Sequence, residues 1–138
     1  MPFEVKWYVE GRITMARYYG DHTFEEMQES NTLSIENIRA GTAPVHLLLH
    51  SLDVTSLPRS YLPMLKEIER FRHEPKMGWT VNVTHSGLLH LLGVLSSNLL
   101  KSPFAAVNTM EEAHALLRKV DPTLADLLPQ KSNELSAS

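Results

Sequence analysis

The sequence predicts an α/β fold, and three observations carry that expectation. Val45-His46-Leu47-Leu48-Leu49-His50 is a near-continuous apolar run, the pattern of a strand covered on both faces of a sheet. After a polar turn, Ser51 to Arg59, comes an amphipathic helix from Ser60 to Phe71. The same alternation of short apolar run and longer helical pattern continues along the chain, as expected of strands joined by helical crossovers.

The elements follow in order. Phe3 to Glu10 alternates, with Trp7 and Tyr8 supplying strand-favouring bulk. Glu10-Gly11-Arg12 is a turn and Ile13 to Tyr19 a second strand, so the two should form an antiparallel hairpin. Gly20-Asp21-His22 ends it. Thr23 with Glu26 is a capping box, opening a helix through Met27, Leu33, Ile35 and Ile38, with Gly41 at the C-terminal cap. Val45 to His50 is strand three. Pro63 sits in the first turn of helix two, where its missing N–H costs little. Pro75-Lys76-Met77-Gly78 breaks the chain before strand four, Trp79 to Val83. Helix three runs from about Ser86 to Lys101, and Ser102-Pro103 separates it from a short strand five, Phe104 to Val107. Thr109 with Glu112 is a second capping box, opening a helix through Ala113, Leu116, Leu117 and Val120. Asp121-Pro122 starts a final short helix ending near Leu128. The order is β-β-α-β-α-β-α-β-α: a mixed sheet of about five strands with about four helices, the N-terminal hairpin adding one antiparallel strand.

The length of 138 residues suits one domain, placed at 1–129, with 130–138 a flexible polar tail. A net charge of −3 without a basic run argues against nucleic-acid binding. The chain has no cysteine, which removes disulfides and thiolate chemistry and fits a cytoplasmic protein. The most apolar stretch, Leu88 to Leu100, contains His90 and Asn98 and is shorter than the roughly 20 residues that span a bilayer, so no membrane span is expected.

No reaction is spelled out. His50, Ser51 and Asp53 lie too close in sequence to converge as a hydrolytic triad, and no G-x-S-x-G elbow is present. His46 and His50 share a strand face, and His85 and His90 bracket the start of helix three, but neither pair has zinc-ligand spacing. The turn His85-Ser86-Gly87 reads as a plain strand-to-helix connection capped by Ser86. Phe71, Met77 and Trp79 fit either a pocket wall or core. No catalytic residue, metal or cofactor is expected.

Helix three carries leucines on more than one face. Leu88, Leu92, Leu95 and Leu99 form a face open to three readings: deep burial, a homodimer interface, or the wall of an apolar ligand groove. Gly93, with Ser96-Ser97, would let another backbone or a ligand approach closely.

The element order, with His46-Leu47-Leu48-Leu49, Asp53-Val54-Thr55-Ser56-Leu57, Ser60 and Leu62, resembles the STAS superfamily, the domains of anti-sigma-factor antagonists and sulphate-transporter tails. In the antagonists a D-S-S-G segment opens the next helix, and its first serine is phosphorylated in partner switching. Here those positions read Pro58, Arg59, Ser60 and Tyr61, so the phosphoacceptor position is Arg59 and only the following serine is kept. The segment 41–46, the stretch 72–79 and the apolar third helix are similar to a SpoIIAA-like branch of uncharacterised bacterial proteins, which shares its fold with lipid-carrying CRAL-TRIO domains. The resemblance implies a non-enzymatic interaction or regulatory module acting through a loop with Asp53, Ser56, Arg59 and Ser60, probed by a protein partner. The alternative is a carrier or sensor of a small apolar ligand or lipid held beside helix three. Ser60 reads as a helix cap or as a modified serine, and Arg59 as solvated or as a partner's carboxylate ligand.

Overall fold

The computed structural model describes residues 3–56, 61–99 and 103–128, with side chains for all of these except 61, 92 and 95–99. The elements are β1 (Phe3–Val9), β2 (Ile13–Asp21), α1 (Phe24–Ala40), β3 (Val45–Ser56), α2 (Tyr61–Arg72), β4 (Met77–Val83), α3 (Gly87–Leu99), β5 (Phe104–Val107) and α4 (Met110–Val120), followed by a 3₁₀ turn, Pro122–Leu124. The five strands lie in sequence order, β1-β2-β3-β4-β5. β1 pairs antiparallel with β2 and every later pair is parallel, the mixed sheet expected from the sequence.

Strand alternation sends neighbouring residues to opposite faces. On one face, Val45 and Leu47 meet Ile35 and Ile38 of α1 and Phe71 of α2. On the other, Ile13, Met15, Leu48, Val81 and Val83 meet Ala113 and Leu117 of α4, with Leu124 and Leu128 behind them. Ile13, Leu48, Val81, Val83 and Leu117 are fully buried there. Each contributes roughly 1.5–3 kcal/mol relative to exposure. β3 is therefore apolar on both sides, which is why it reads as a continuous hydrophobic run.

Local signals set the helix ends. Both capping boxes form: Thr23 Oγ1 accepts from the Glu26 backbone N–H at 3.2 Å, and Thr109 Oγ1 from that of Glu112 at 3.1 Å. Gly41 follows α1 as expected, but its backbone is extended and the need for glycine is steric. A Cβ there would lie 2.7 Å from the Gly11 carbonyl oxygen and 2.8 Å from Val45 Cγ2. Gly11, at φ 74, turns the β1–β2 hairpin. Gly93 does permit a close approach, and the neighbour is β5: a Cβ would lie 3.3 Å from Phe104 Cδ1.

Several boundaries differ from the sequence reading. β3 does not end at His50; it continues to Ser56, because β2 also extends to Asp21 and the two stay paired through Tyr19↔Asp53, Gly20↔Val54 and Asp21↔Ser56. Asp53 and Ser56 are thus strand residues and not loop residues. β4 starts at Met77, inside the expected break, because Met77 pairs with Val45. The last helix is a single 3₁₀ turn, with Leu128 buried beyond it. Arg59, Ser60 and the tail 130–138 lie outside the described residues.

At the amino ends of the parallel strands a buried polar cluster ties the sheet to the C-terminal turn. His46 Nε2 lies 2.8 Å from Asp121 Oδ2, and Arg12 Nη2 donates to the same oxygen at 2.7 Å. The Trp79 backbone N–H donates to His46 Nδ1 at 2.9 Å. Nδ1 is therefore an acceptor and Nε2 carries the proton that Asp121 receives. This places His46, considered above for a metal, in a structural role.

Candidate functional site

The amino end of the sheet is closed by that cluster; the carboxyl end is open. There β4 ends at Val83 while β3 runs on to Ser56, and a cleft of about 430 Å³ is lined by Ser51, Thr55 and Ser56 from β3 and by Thr84, His85 and Ser86 leading into α3. Leu52, Val54 and Leu88 supply its apolar part. In parallel sheets this edge, where helices begin and strand ends splay, is where ligands and partners are met.

The long β2–β3 pair builds one wall. Asp21 Oδ1 accepts from Thr55 Oγ1 at 3.0 Å and from Ser56 Oγ at 2.8 Å. Those two hydroxyls hold the Asp21 carboxyl below its ordinary pKa. The His22 backbone N–H donates to the Ser56 carbonyl at 3.0 Å, so the end of β3 is fixed from both main chain and side chain. On the sheet face beside α4, Arg17 donates through Nη2 (2.8 Å) and Nε (3.2 Å) to Asp53 Oδ2, and its guanidinium stacks 5.0 Å above the Tyr19 ring. The Arg17 bond lowers the Asp53 pKa, and both side chains stay exposed.

The opposite wall is the turn into α3. The Ser86 backbone N–H donates to Thr84 Oγ1 at 3.0 Å, and Ser86 Oγ accepts from the Leu89 backbone N–H at 3.3 Å, the cap expected for this turn. His85 Nε2 lies 3.2 Å from the Asn108 carbonyl and His90 Nε2 3.0 Å from the Thr84 carbonyl. Both histidines are thus engaged with main chain. Among the described residues no group of three His, Asp or Glu side chains is arranged to hold a metal ion.

Of the residues singled out for interaction, Asp53 and Ser56 stand on the exposed end of β3, and only Ser56 lines the cleft. Arg59 and Ser60 lie in the undescribed 57–60 segment that leads on from it. Of the α3 face, Leu88 is half-buried against Met64 and Leu89, while the side chains of Leu92, Leu95 and Leu99 are not among those described. Among the described α3 side chains, Leu91 and Val94 are large apolar groups turned outward, 44% and 56% exposed. Phe71 lines an interior cavity, Met77 packs behind it, and Trp79 belongs to the opposite face.

Two groups escaped the sequence reading. His22 reads in the sequence only as part of a strand terminus, yet it is 3% exposed. Thr80 and Asn82 are buried polar residues alternating with the apolar Val81 and Val83, and that alternation was the available signal of a polar lining on one face of β4.

No protein-family model matches the chain, and no curated protein matches it. Among solved structures it is similar to an uncharacterized protein of the DUF3478 family with a SpoIIAA-like fold from Shewanella loihica PV-4. The identity is 16%, the TM-score 0.55, and the match covers 83% of this chain and 91% of that one. It is also similar to the anti-sigma factor antagonist SpoIIAA in its unphosphorylated form, at 16% identity and a TM-score of 0.48, covering 84% and 97% of the two chains. The first likeness shows the fold, which is SpoIIAA-like, the STAS-like architecture that the element order led us to expect.

Proposed function

We propose that this chain is a non-enzymatic regulatory module that binds a protein partner through the carboxyl end of its sheet. The observation that carries this reading is the cleft between the end of β3 and the turn into α3. It is open, mixed in polarity and rich in hydroxyls, which suits hydrogen bonding to an exposed protein segment. Its last β3 residue, Ser56, immediately precedes in sequence the 57–60 segment, where the resemblance to antagonists would place the switch residue, here Arg59 followed by Ser60. The histidines and carboxylates that could have suggested catalysis are engaged structurally: His46 with Asp121, His114 with Tyr8 at 2.7 Å, Asp53 with Arg17.

The same reading treats residues 1–129 as one working unit in the cytoplasm. No helix among the described residues is long and apolar enough to cross a membrane. Homodimerisation belongs to the proposal as well, with outward-facing Leu91 and Val94 of α3 as the residues a second copy would cover.

Affinity capture with a tagged chain tests the partner claim. Thr55 is exposed on the cleft wall and Glu29 is exposed on α1, remote in sequence from it. Thr55→Arg should weaken the captured partner's binding at least about tenfold, a loss of ~1.4 kcal/mol. Glu29→Arg should leave it unchanged, with both variants melting like the parent. Equal capture by the two variants contradicts the reading.

A further inference from the structure

The cleft at the carboxyl end of the sheet has an open strand edge in its wall. β3 runs to Ser56, but its last pair with β4 is His50↔Val83, where β4 ends. On the other side β2 stays paired with β3 as far as Asp21↔Ser56. Among the described residues no strand lies beside β3 on the β4 side from Leu52 to Ser56, roughly 16 Å of edge. Leu52 packs with the α4 side of the sheet and Val54 with Phe3, Ala16 and Tyr18 on the opposite side, yet both line the cleft. The space therefore runs along the strand edge and not over one face. Its volume, about 430 Å³, lies in the ~300–1,000 Å³ range of clefts that take ligands.

The side chains along that edge have already spent their protons. Ser51 Oγ donates to Asn82 Oδ1 at 2.9 Å, and Thr55 Oγ1 and Ser56 Oγ both donate to Asp21 Oδ1. Each of these hydroxyls keeps lone pairs alone. His85 Nε2 faces the Asn108 carbonyl, which can only accept, so the proton of the neutral ring is spent there. Across the cleft, the Thr84 and Ser86 hydroxyls accept from the Ser86 and Leu89 backbone N–H groups and keep their own protons. An anionic occupant would meet the Asp21 carboxylate behind Thr55 and Ser56. What suits the cleft is an occupant carrying N–H donors and carbonyl acceptors at strand spacing, which is polypeptide main chain.

We propose that the partner is held by strand addition: an extended, non-acidic segment of it lies beside Leu52–Ser56, in the line that β4 leaves, and bonds main chain to main chain. The inference rests on the partner reading above and supplies its binding mode. Leu52, Val54 and Leu88 give the segment its apolar contacts, which suits β-branched side chains of modest size. The edge is accessible, because Asp53, Thr55 and Ser56 are exposed. It is also firmly held for a new neighbour, since β2 pairs with the far side of the same residues.

The test uses the whole chain. It has no cysteine, so His85→Cys gives a single attachment point at an exposed position on the cleft. The probe is the peptide acetyl-Cys-Gly-Thr-Val-Thr-Val-amide, joined by disulfide exchange. The control is the same peptide with its Thr and Val nitrogens methylated, which keeps the side chains and removes the N–H donors. Half-release of the probe should need at least about tenfold more 2-mercaptoethanol than half-release of the control. At least one backbone amide of residues 52–56 should exchange its hydrogen about tenfold more slowly with the probe attached, and not with the control. From Glu29→Cys, at an exposed position on α1, both peptides should be released alike. Equal release of the two peptides from position 85, or unchanged exchange across 52–56, would overturn the proposal. The probe is not the captured partner, so such a failure beside capture that Thr55→Arg weakens overturns strand addition and leaves the partner reading standing.

Discussion

Removing the Asp121 carboxylate should be among the most destabilising single changes in this protein. Asp121 is 7% exposed and receives hydrogen bonds from Arg12 at 2.7 Å, from His46 at 2.8 Å and from the Thr123 backbone N–H at 3.2 Å. Burial alone would raise its pKa, but Thr123 and His46 outweigh that and hold it low, so the group is ionised. Asp121→Ala leaves the His46 Nε2–H, on a residue 2% exposed, without an acceptor, and strips the Arg12 guanidinium of its carboxylate, leaving it the Thr123 hydroxyl and the Pro44 carbonyl. Breaking a buried pair by removing one member costs about 3–5 kcal/mol. For a domain of this size that lowers Tm by roughly 10–20 °C. Asp121→Asn keeps one acceptor oxygen and should lose only about 1–2 kcal/mol. Urea unfolding at pH 7 measures both. The cluster closes the amino end of the sheet, so partner binding by the folded variant should be unchanged. An Asp121→Ala loss below about 1 kcal/mol would refute the claim that this cluster fastens the C-terminal turn to the sheet.

Acidification should destabilise the fold from near neutrality. Burial lowers the pKa of His22, His46, His50 and His114, so each contributes stability that is full above the unfolded value of about 6.5 and is lost as pH falls from there toward the folded value. Urea midpoints should therefore drop between pH 7.5 and 5.5, and a flat or rising profile would contradict this. Thr109→Ala removes the α4 cap and should cost about 1 kcal/mol by the same assay. Arg17→Ala should cost less than about 1 kcal/mol, because the side chains of its ion pair with Asp53 are 39% and 44% exposed.

The elements whose causes are local were legible. Thr23/Glu26 and Thr109/Glu112 specify helix starts within four residues, and β3 reads as a buried strand because both its faces are apolar. What was illegible depends on residues far apart in the chain. Asp53-Val54-Thr55-Ser56 has turn chemistry, yet it is strand because Arg17 and Asp21, more than thirty residues earlier, receive its side chains as β2 runs alongside. The cleft therefore appears only once that pairing is known. His22 escaped for a related reason: beside Tyr18, four residues earlier, the space it lines is built by Met64, Phe71 and Leu89, more than forty residues later.

The central claim is that the carboxyl end of the sheet meets a protein partner. Site-specific photo-crosslinking in the cells that make the protein tests it most directly. A benzophenone amino acid is placed at His85, on the cleft, and separately at Glu29, on α1. The account predicts one predominant adduct from position 85 that is absent from position 29 and disappears when Thr55→Arg is added. The same adducts from both positions, or none from position 85, would contradict it.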